Sequence, residues 1–207
     1  AKGESGGLTL SKKVKLKTGA NTVSLKGVVA KARAWSPDDP FLYTATATLS
    51  EGGEDVDSTS VTCGLRHFTA ADGVFMLNGK RIALRGFLQQ GVYPRHIVFP
   101  ATLADARKEL MLLKRNGMNF IRAHLKPPPI QLDLADELGI LLLEEPPIGW
   151  IENTEHTVER CKREVDELVR LDRNRPSVGM WCLLNEATHY RTVTPPQLEK
   201  FKKILTD

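Results

Sequence analysis

In the first third of the chain, apolar and polar positions alternate. "LTLSKKVKLK" places Leu8, Leu10, Val14 and Leu16 on one side of an extended segment. A period of two predicts a half-buried strand. Thr18-Gly19-Ala20-Asn21 predicts a turn. "NTVSLKGVVAKARAW" is a second β stretch, bent at Gly27, and "SPDDP" is a loop held by two prolines. "FLYTATATLS" is a third strand, with Leu42, Thr44, Thr46 and Thr48 on one face and Tyr43, Ala45, Ala47 and Leu49 on the other. "EGGED" turns the chain into "VDSTSVTCGL". Short strands between turn signals predict an antiparallel sandwich. An immunoglobulin-like sandwich needs about seven strands and roughly four or five fit here, so its N-terminal side is expected to be incomplete.

After residue 65 the rhythm becomes strand, helix, strand, helix. "VFMLNGKRIALRGF" is a hairpin turning at Asn78-Gly79, and its arm Arg81 to Leu88 is expected to serve as the first strand of a new layer. "TLADARKELMLLKRNG" is a helix with Thr102 as N-cap, Asp105 in the first turn and Gly117 as its stop. Its apolar stripe is Leu103, Ala106, Leu110 and Leu113. "MNFIRAHLK" is the next strand, and "PIQLDLADELG" a helix closed by Gly139. "ILLLEEPP" has the continuous apolar run of a strand buried on both faces. "TVERCKREVDELVRLDRN" is a long helix with Val158, Cys161, Val165, Leu168 and Val169 on one face. "VGMWCLLNEA" is a fourth strand, and "TPPQLEKFKKIL" starts a further helix with Thr194 as cap. Four strands alternating with helices predict parallel βα units. A doubly wound sheet and a (β/α)8 barrel both begin in this way. No Gly-rich phosphate loop follows any of the strands, which argues against a nucleotide site.

Composition narrows the partners. The 207 residues are 41% hydrophobic and 26% charged, ordinary for a globular protein. The net charge of +4 comes from basic residues interleaved with acidic ones. No basic stripe with aromatics marks a nucleic-acid partner. No run of eighteen apolar residues marks a membrane span. The three cysteines (Cys63, Cys161 and Cys182) are too few and scattered for a disulfide framework or a zinc site, and Cys182 reads as a small hydrophobe inside its strand. No metal or cofactor is expected. The chain starts without Met and is expected to be processed or cut from something longer.

Parallel α/β folds carry their chemistry at strand C-termini. The first strand ends in Gln89, Gln90 and Tyr93. The second ends in Arg122, His124 and Lys126, and the third in Glu144 and Glu145 with Trp150 beyond. The fourth ends in Asn185 and Glu186, followed by His189 and Tyr190. Each has a plain structural reading beside the functional one. Arg122 reads as a rim group or as half of a buried ion pair with Glu144 or Glu145. Trp150 reads as a core aromatic or a platform for a sugar ring. Glu186 reads as a solvating charge or an acid. The chemistry these groups suit is glycoside hydrolysis, which needs one carboxylic acid to protonate the leaving oxygen and a second carboxylate as nucleophile or base.

"RNRPSVGMWCLLNE" resembles the acid/base signature of glycoside hydrolase family 2, which includes β-galactosidases, β-glucuronidases and β-mannosidases. Two positions depart from it: Arg175 stands where His is usual and Cys182 where Ser is usual. "WSPDDPFLYTATATL" is similar to the end of the family's immunoglobulin-like domain. "CGLRHF" resembles its junction, and "FMLNGKRIALRG" the hairpin leading to the barrel. "NFIRAHLKPPP" carries Arg122, His124 and Lys126 where Arg-Ser-His-Tyr-Pro is common, and "GFLQQGVYP" replaces Gly-x-Asn-Arg-His-Glu.

The resemblance implies a mixed fold: a partial immunoglobulin-like β-sandwich over residues 1–65, then the first four βα units of a (β/α)8 TIM barrel over 66–207. It implies a retaining β-glycosidase in which Glu186 is the general acid/base and Asn185 binds the 2-hydroxyl. Arg122, His124, Lys126, Glu145, Trp150, His189 and Tyr190 would line the substrate. The expected partners are a β-glycoside and the remainder of the barrel, in a longer chain or a second one. The family's nucleophile follows a later strand and is expected outside these residues. The alternative is a non-catalytic carbohydrate-binding or structural piece.

Overall fold

The computed structural model describes residues 7–93, 97–100, 102–148, 156–186, 196, 199, 202 and 203. The chain forms two compact units, Ala1–Arg33 and Ala34–Asp207.

In the first unit, the expected turn is present. The Asn21 amide donates to the carbonyls of Lys17 and Gly19, and its oxygen accepts from the Lys17 N–H at 2.9 Å. The two strands expected on either side are not formed: residues 7–33 carry no strand. Leu8, Leu10, Val14, Leu16, Val23 and Leu25 are all exposed. A two-stranded ribbon gains little from a closed ladder when nothing covers its apolar face.

The second unit opens with β1 (Tyr43–Glu51) and β2 (Glu54–Cys63), an antiparallel hairpin with a bulge between Leu49 and Ser50. The antiparallel meander β3 (Phe68–Ala71), β4 (Val74–Leu77) and β5 (Lys80–Ile82) follows. The Asn78-Gly79 turn joins β4 to β5, both residues with positive φ.

The arm expected to run from Arg81 to Leu88 is in fact two strands. It breaks at 83–85, and β6 (Gly86–Gln89) belongs to a different sheet. Asn119 occupies the break, accepting from the Arg85 N–H and donating to the Ala83 carbonyl. Gly86 then runs so close to Phe120 that a Cβ would lie 1.8 Å from its carbonyl oxygen. A short hairpin, β7 (Val92–Tyr93) and β8 (Ile97–Val98), precedes α1 (Leu103–Arg115). Then come β9 (Phe120–Ala123), α2 (Pro129–Leu138), β10 (Leu141–Glu144), α3 (Thr157–Asp172) and β11 (Val178–Trp181).

Strands β6, β9, β10 and β11 form one parallel sheet in sequential order. Each new strand is added beside the last, with no reversal. A doubly wound sheet reverses at a switch point, whereas a barrel does not. Of the helix expected after β11, Pro196, Glu199, Lys202 and Lys203 are helical and the rest lies outside the described residues. Among the described residues no helix is long and apolar enough to cross a membrane.

Helix ends follow their local chemistry. Thr102 caps α1 by accepting from the Asp105 N–H at 3.1 Å. Ala106, Leu110 and Leu113 are buried as expected, but Leu103 is exposed because it sits in the first turn beyond the packed stripe. The core joins these residues to Ile121 and Ala123 of β9, Leu142 of β10, Val178 of β11 and Leu132, Leu134 and Ala135 of α2.

Gly139 closes α2 at φ +72°, and a Cβ there would lie 2.5 Å from the Pro37 carbonyl oxygen. Gly117 closes α1 region at φ +71° with nothing within 4 Å. Gly139→Ala is therefore expected to cost more than the roughly 1–2 kcal/mol of a left-handed backbone. Gly117→Ala should cost that conformational part alone. Urea midpoints of the two variants at unchanged slope test the difference.

Trp35, fully buried, joins the segment before β1 to the βα layer. Its Nε1–H donates to the Asp136 carbonyl at 2.8 Å. Arg66 donates through Nε to the Pro176 carbonyl at 3.0 Å and through Nη2 to that of Val178. The segment before β11 is thus held by the same residues that resemble the family's junction.

Candidate active site

Side chains alternate across a strand, and the register sorts the expected rim residues into two faces. Arg122 stands opposite Leu143 and Leu88, whereas Ala123 stands opposite Glu144 and Gln89. The second set faces the helices. Ala123 and Glu144 are fully buried, and Gln89 nearly so. The first set, with Arg122 on β9, His124 just past it and Glu145 after β10, faces away from them.

On that face four expected residues converge. Glu145 is 1% exposed, and both its oxygens are used. Oε2 accepts from Arg122 Nη2 at 3.1 Å and Nε at 3.3 Å, and Oε1 bonds His124 Nδ1 at 3.1 Å. Arg122 Nη2 also donates to Asn185 Oδ1 at 2.7 Å. The ion-pair reading of Arg122 is therefore correct, with Glu145 as its partner, and the pair still stands at the strand ends.

β11 ends at Trp181, short of the expected run to Ala187. Beyond it the chain stays attached to the exit of β10: the Cys182 N–H donates to the Glu144 carbonyl at 2.8 Å, and the Asn185 N–H to that of Ile148 at 3.1 Å. Cys182, expected inside the strand, lies just past it and is half-buried. Burial raises its thiol pKa, and the nearby Glu145 carboxylate adds to the rise. Glu186 follows at φ +49°, exposed. A non-glycine residue in this region is uncommon, and such conformations gather at functional sites.

Lys126 is not with this group. Its ammonium bonds Glu144 Oε1 at 3.1 Å and also Asp172 at the end of α3. Lys126 was expected to line the substrate, but these two carboxylates hold it among the helices. Burial, then the Asp172 carboxylate, push Glu144 up to about 7, with Lys126 opposing. Asp172 also accepts from Arg175 Nε at 2.9 Å, and Arg175 reaches Asp133 and Asp136 of α2. Arg175, which departs from the family's His, therefore clamps α2 to the end of α3. Asp172 drew no attention in the sequence because its partners lie 46 residues before it and 3 after it.

Gln89 and Tyr93 form a third group, both bonded to Glu109 of α1 at 3.0 and 2.7 Å. Burial and the Glu109 carboxylate raise the Tyr93 pKa. Trp150, His189 and Tyr190 lie outside the described residues. Among the described residues no three His, Cys, Asp or Glu side chains gather as a metal site.

The sequence model of glycosyl hydrolases family 2 matches residues 2–66, and that of the family's TIM barrel domain matches residues 68–205. The chain belongs to glycosyl hydrolases family 2. Its relatives in family 2 include a β-glucuronidase of Bacteroides fragilis, 32% identical over 190 residues, covering 85% of this chain and 27% of the relative. A β-galactosidase of Thermoanaerobacter pseudethanolicus is 33% identical over 163 residues, covering 74% of this chain and 21% of the relative. Among solved family 2 structures, apo β-glucuronidase 3 of Bacteroides uniformis matches with a TM-score of 0.73 at 32% identity, covering 84% of this chain and 23% of that one. The chain thus spans about a quarter of the length of these relatives.

Proposed function

We propose that this chain is the acid/base half of a retaining β-glycosidase. Glu186 protonates the leaving oxygen and later activates water, and Asn185 binds the sugar hydroxyl beside the reacting carbon. The observation that carries the reading is the Arg122–Asn185 hydrogen bond, which fixes the amide next to Glu186 at the strand ends of a barrel-ordered sheet. The relatives named β-glucuronidase and β-galactosidase support the β-glycoside substrate class. The sandwich-to-barrel boundary is proposed near residue 65.

A retaining mechanism needs a second carboxylate about 5–5.5 Å from the acid. Neither Glu144 nor Glu145 serves. Glu144 faces the helices, and both oxygens of Glu145 are committed to Arg122 and His124. The nucleophile is therefore proposed to come from the remainder of the barrel.

The 207-residue chain by itself is expected not to turn over a panel of aryl β-glycosides. Turnover that Glu186→Gln abolishes would overturn the assignment of the nucleophile. In the completed barrel, Glu186→Gln is expected to lower kcat/KM about 10²–10⁴-fold toward an alkyl β-glycoside. The loss should be smaller toward a glycoside whose phenolate leaves unaided. Wild-type rates on both would overturn the acid/base role and favour the non-catalytic alternative.

A further inference from the structure

We infer that Glu145 is a positioning residue that acts through Arg122 on the Asn185 amide, rather than a ligand of the substrate. The inference rests on the proposed role of Asn185 and adds how its orientation is set. A guanidinium carries donors only, so the atom that Asn185 turns toward Arg122 is its oxygen, Oδ1, at 2.7 Å. Its NH2 group is then the side presented elsewhere, and it meets a substrate as a donor. The sugar atom it selects is an acceptor, such as a hydroxyl oxygen.

What holds the guanidinium is Glu145. The carboxylate is 1% exposed and takes Arg122 on Oε2, while His124 Nδ1 occupies Oε1. Each oxygen of Glu145 thus already has a partner within the protein. A buried carboxylate with both oxygens engaged in charge-assisted bonds is a rigid support. It also offsets the Arg122 charge, so Asn185 faces a neutral pair rather than an isolated cation. The order of support runs from Glu145 to Arg122 to Asn185, across three separate strand ends. Lys126 and Glu144 stand outside this relay, because they bond each other on the helix side.

The test is nuclear magnetic resonance of the labelled 207-residue chain, which needs no turnover and so stands or falls apart from the glycosidase reading. In the wild type, the Asn185 NH2 pair should report one side-chain rotamer and the Arg122 Nε–H should exchange slowly. Glu145→Ala should average the Asn185 pair and speed Arg122 Nε–H exchange about tenfold or more, the scale of a lost charged hydrogen bond. Glu145→Gln keeps one acceptor for Arg122 and should restore most of the order. Glu144→Gln, one residue away, should leave the Asn185 pair unchanged.

An unchanged Asn185 pair in folded Glu145→Ala would overturn the inference. So would averaging of the pair by Glu144→Gln to the same extent, since that would mark a general loosening of the strand ends. If Glu145→Ala does not fold, the wild-type measurement decides. An Arg122 Nε–H that exchanges as a free guanidinium overturns the relay, and a protected one beside a single Asn185 rotamer upholds it.

Discussion

Trp35→Ala is expected to destabilise the second unit by about 3–5 kcal/mol, the range for deleting a buried aromatic. Trp35 is fully buried although it stands 8 residues before the first strand of its unit. Its backbone N–H donates to the Leu65 carbonyl at 2.8 Å, and its own carbonyl accepts from the Asn78 amide at 3.0 Å. Its indole N–H reaches the Asp136 carbonyl in α2. One residue therefore ties the segment before β1, the junction and the second helix of the sheet together, the first two through its backbone and the helix through its indole. A domain of ordinary stability has about 5–15 kcal/mol in all, so the variant should unfold at a much lower urea concentration. Trp35→Phe keeps most of the apolar volume and loses only the indole bond. It should cost about 1–3 kcal/mol. Equal costs for the two variants would show that the hydrogen bond, not the packing, is what matters.

The second large effect is at Glu144 and depends on pH. Its carboxyl is pushed up to about 7 by burial, with Asp172 adding and Lys126 opposing. The folded chain therefore keeps this proton where the unfolded chain has released it. The resulting stabilisation is complete below about pH 4.5 and is lost as pH rises through about 7. The difference between an ordinary carboxyl and one near 7 corresponds to about 3 kcal/mol. Glu144→Gln holds the neutral form at every pH. Its stability relative to wild type should rise by up to that amount between pH 5 and pH 8, measured by urea unfolding at each pH. Parallel curves for the two proteins would overturn the prediction. Asp172, its Arg175 partner and Lys126 all face this carboxyl or its neighbours, so Lys126→Met should raise the Glu144 pKa further and extend the pH-dependent loss of stability to higher pH.

Much of the fold was legible in local signals. The Thr102 cap, the αL glycines at 117 and 139, the Asn78-Gly79 turn and the apolar run of β10 each require only a few neighbouring residues. Elements predicted from them appear where expected. The failures have one cause. Residues 7–33 carry the alternation of strands, but a strand needs a partner and a cover, and alternation supplies neither. The arm from Arg81 to Leu88 reads as one strand, yet Asn119 and the backbone of Phe120 break it into parts of two sheets.

The candidate site divides in the same way. The types of residue at the strand ends, and the chemistry of a carboxylate beside an amide at positions 185 and 186, could be read from the chain alone. Which of those residues meet depends on which face of the sheet each one takes, and strand pairing sets that register. Arg122, His124, Glu145 and Asn185 gather on one face, while Lys126 and Glu144 turn to the other, although all six stand at strand ends. The amino-acid sequence determined what chemistry was present and on which elements. The tertiary structure alone decided which carboxylate supports the amide and which is buried against Lys126, because charge partners are chosen by distance in space and not along the chain.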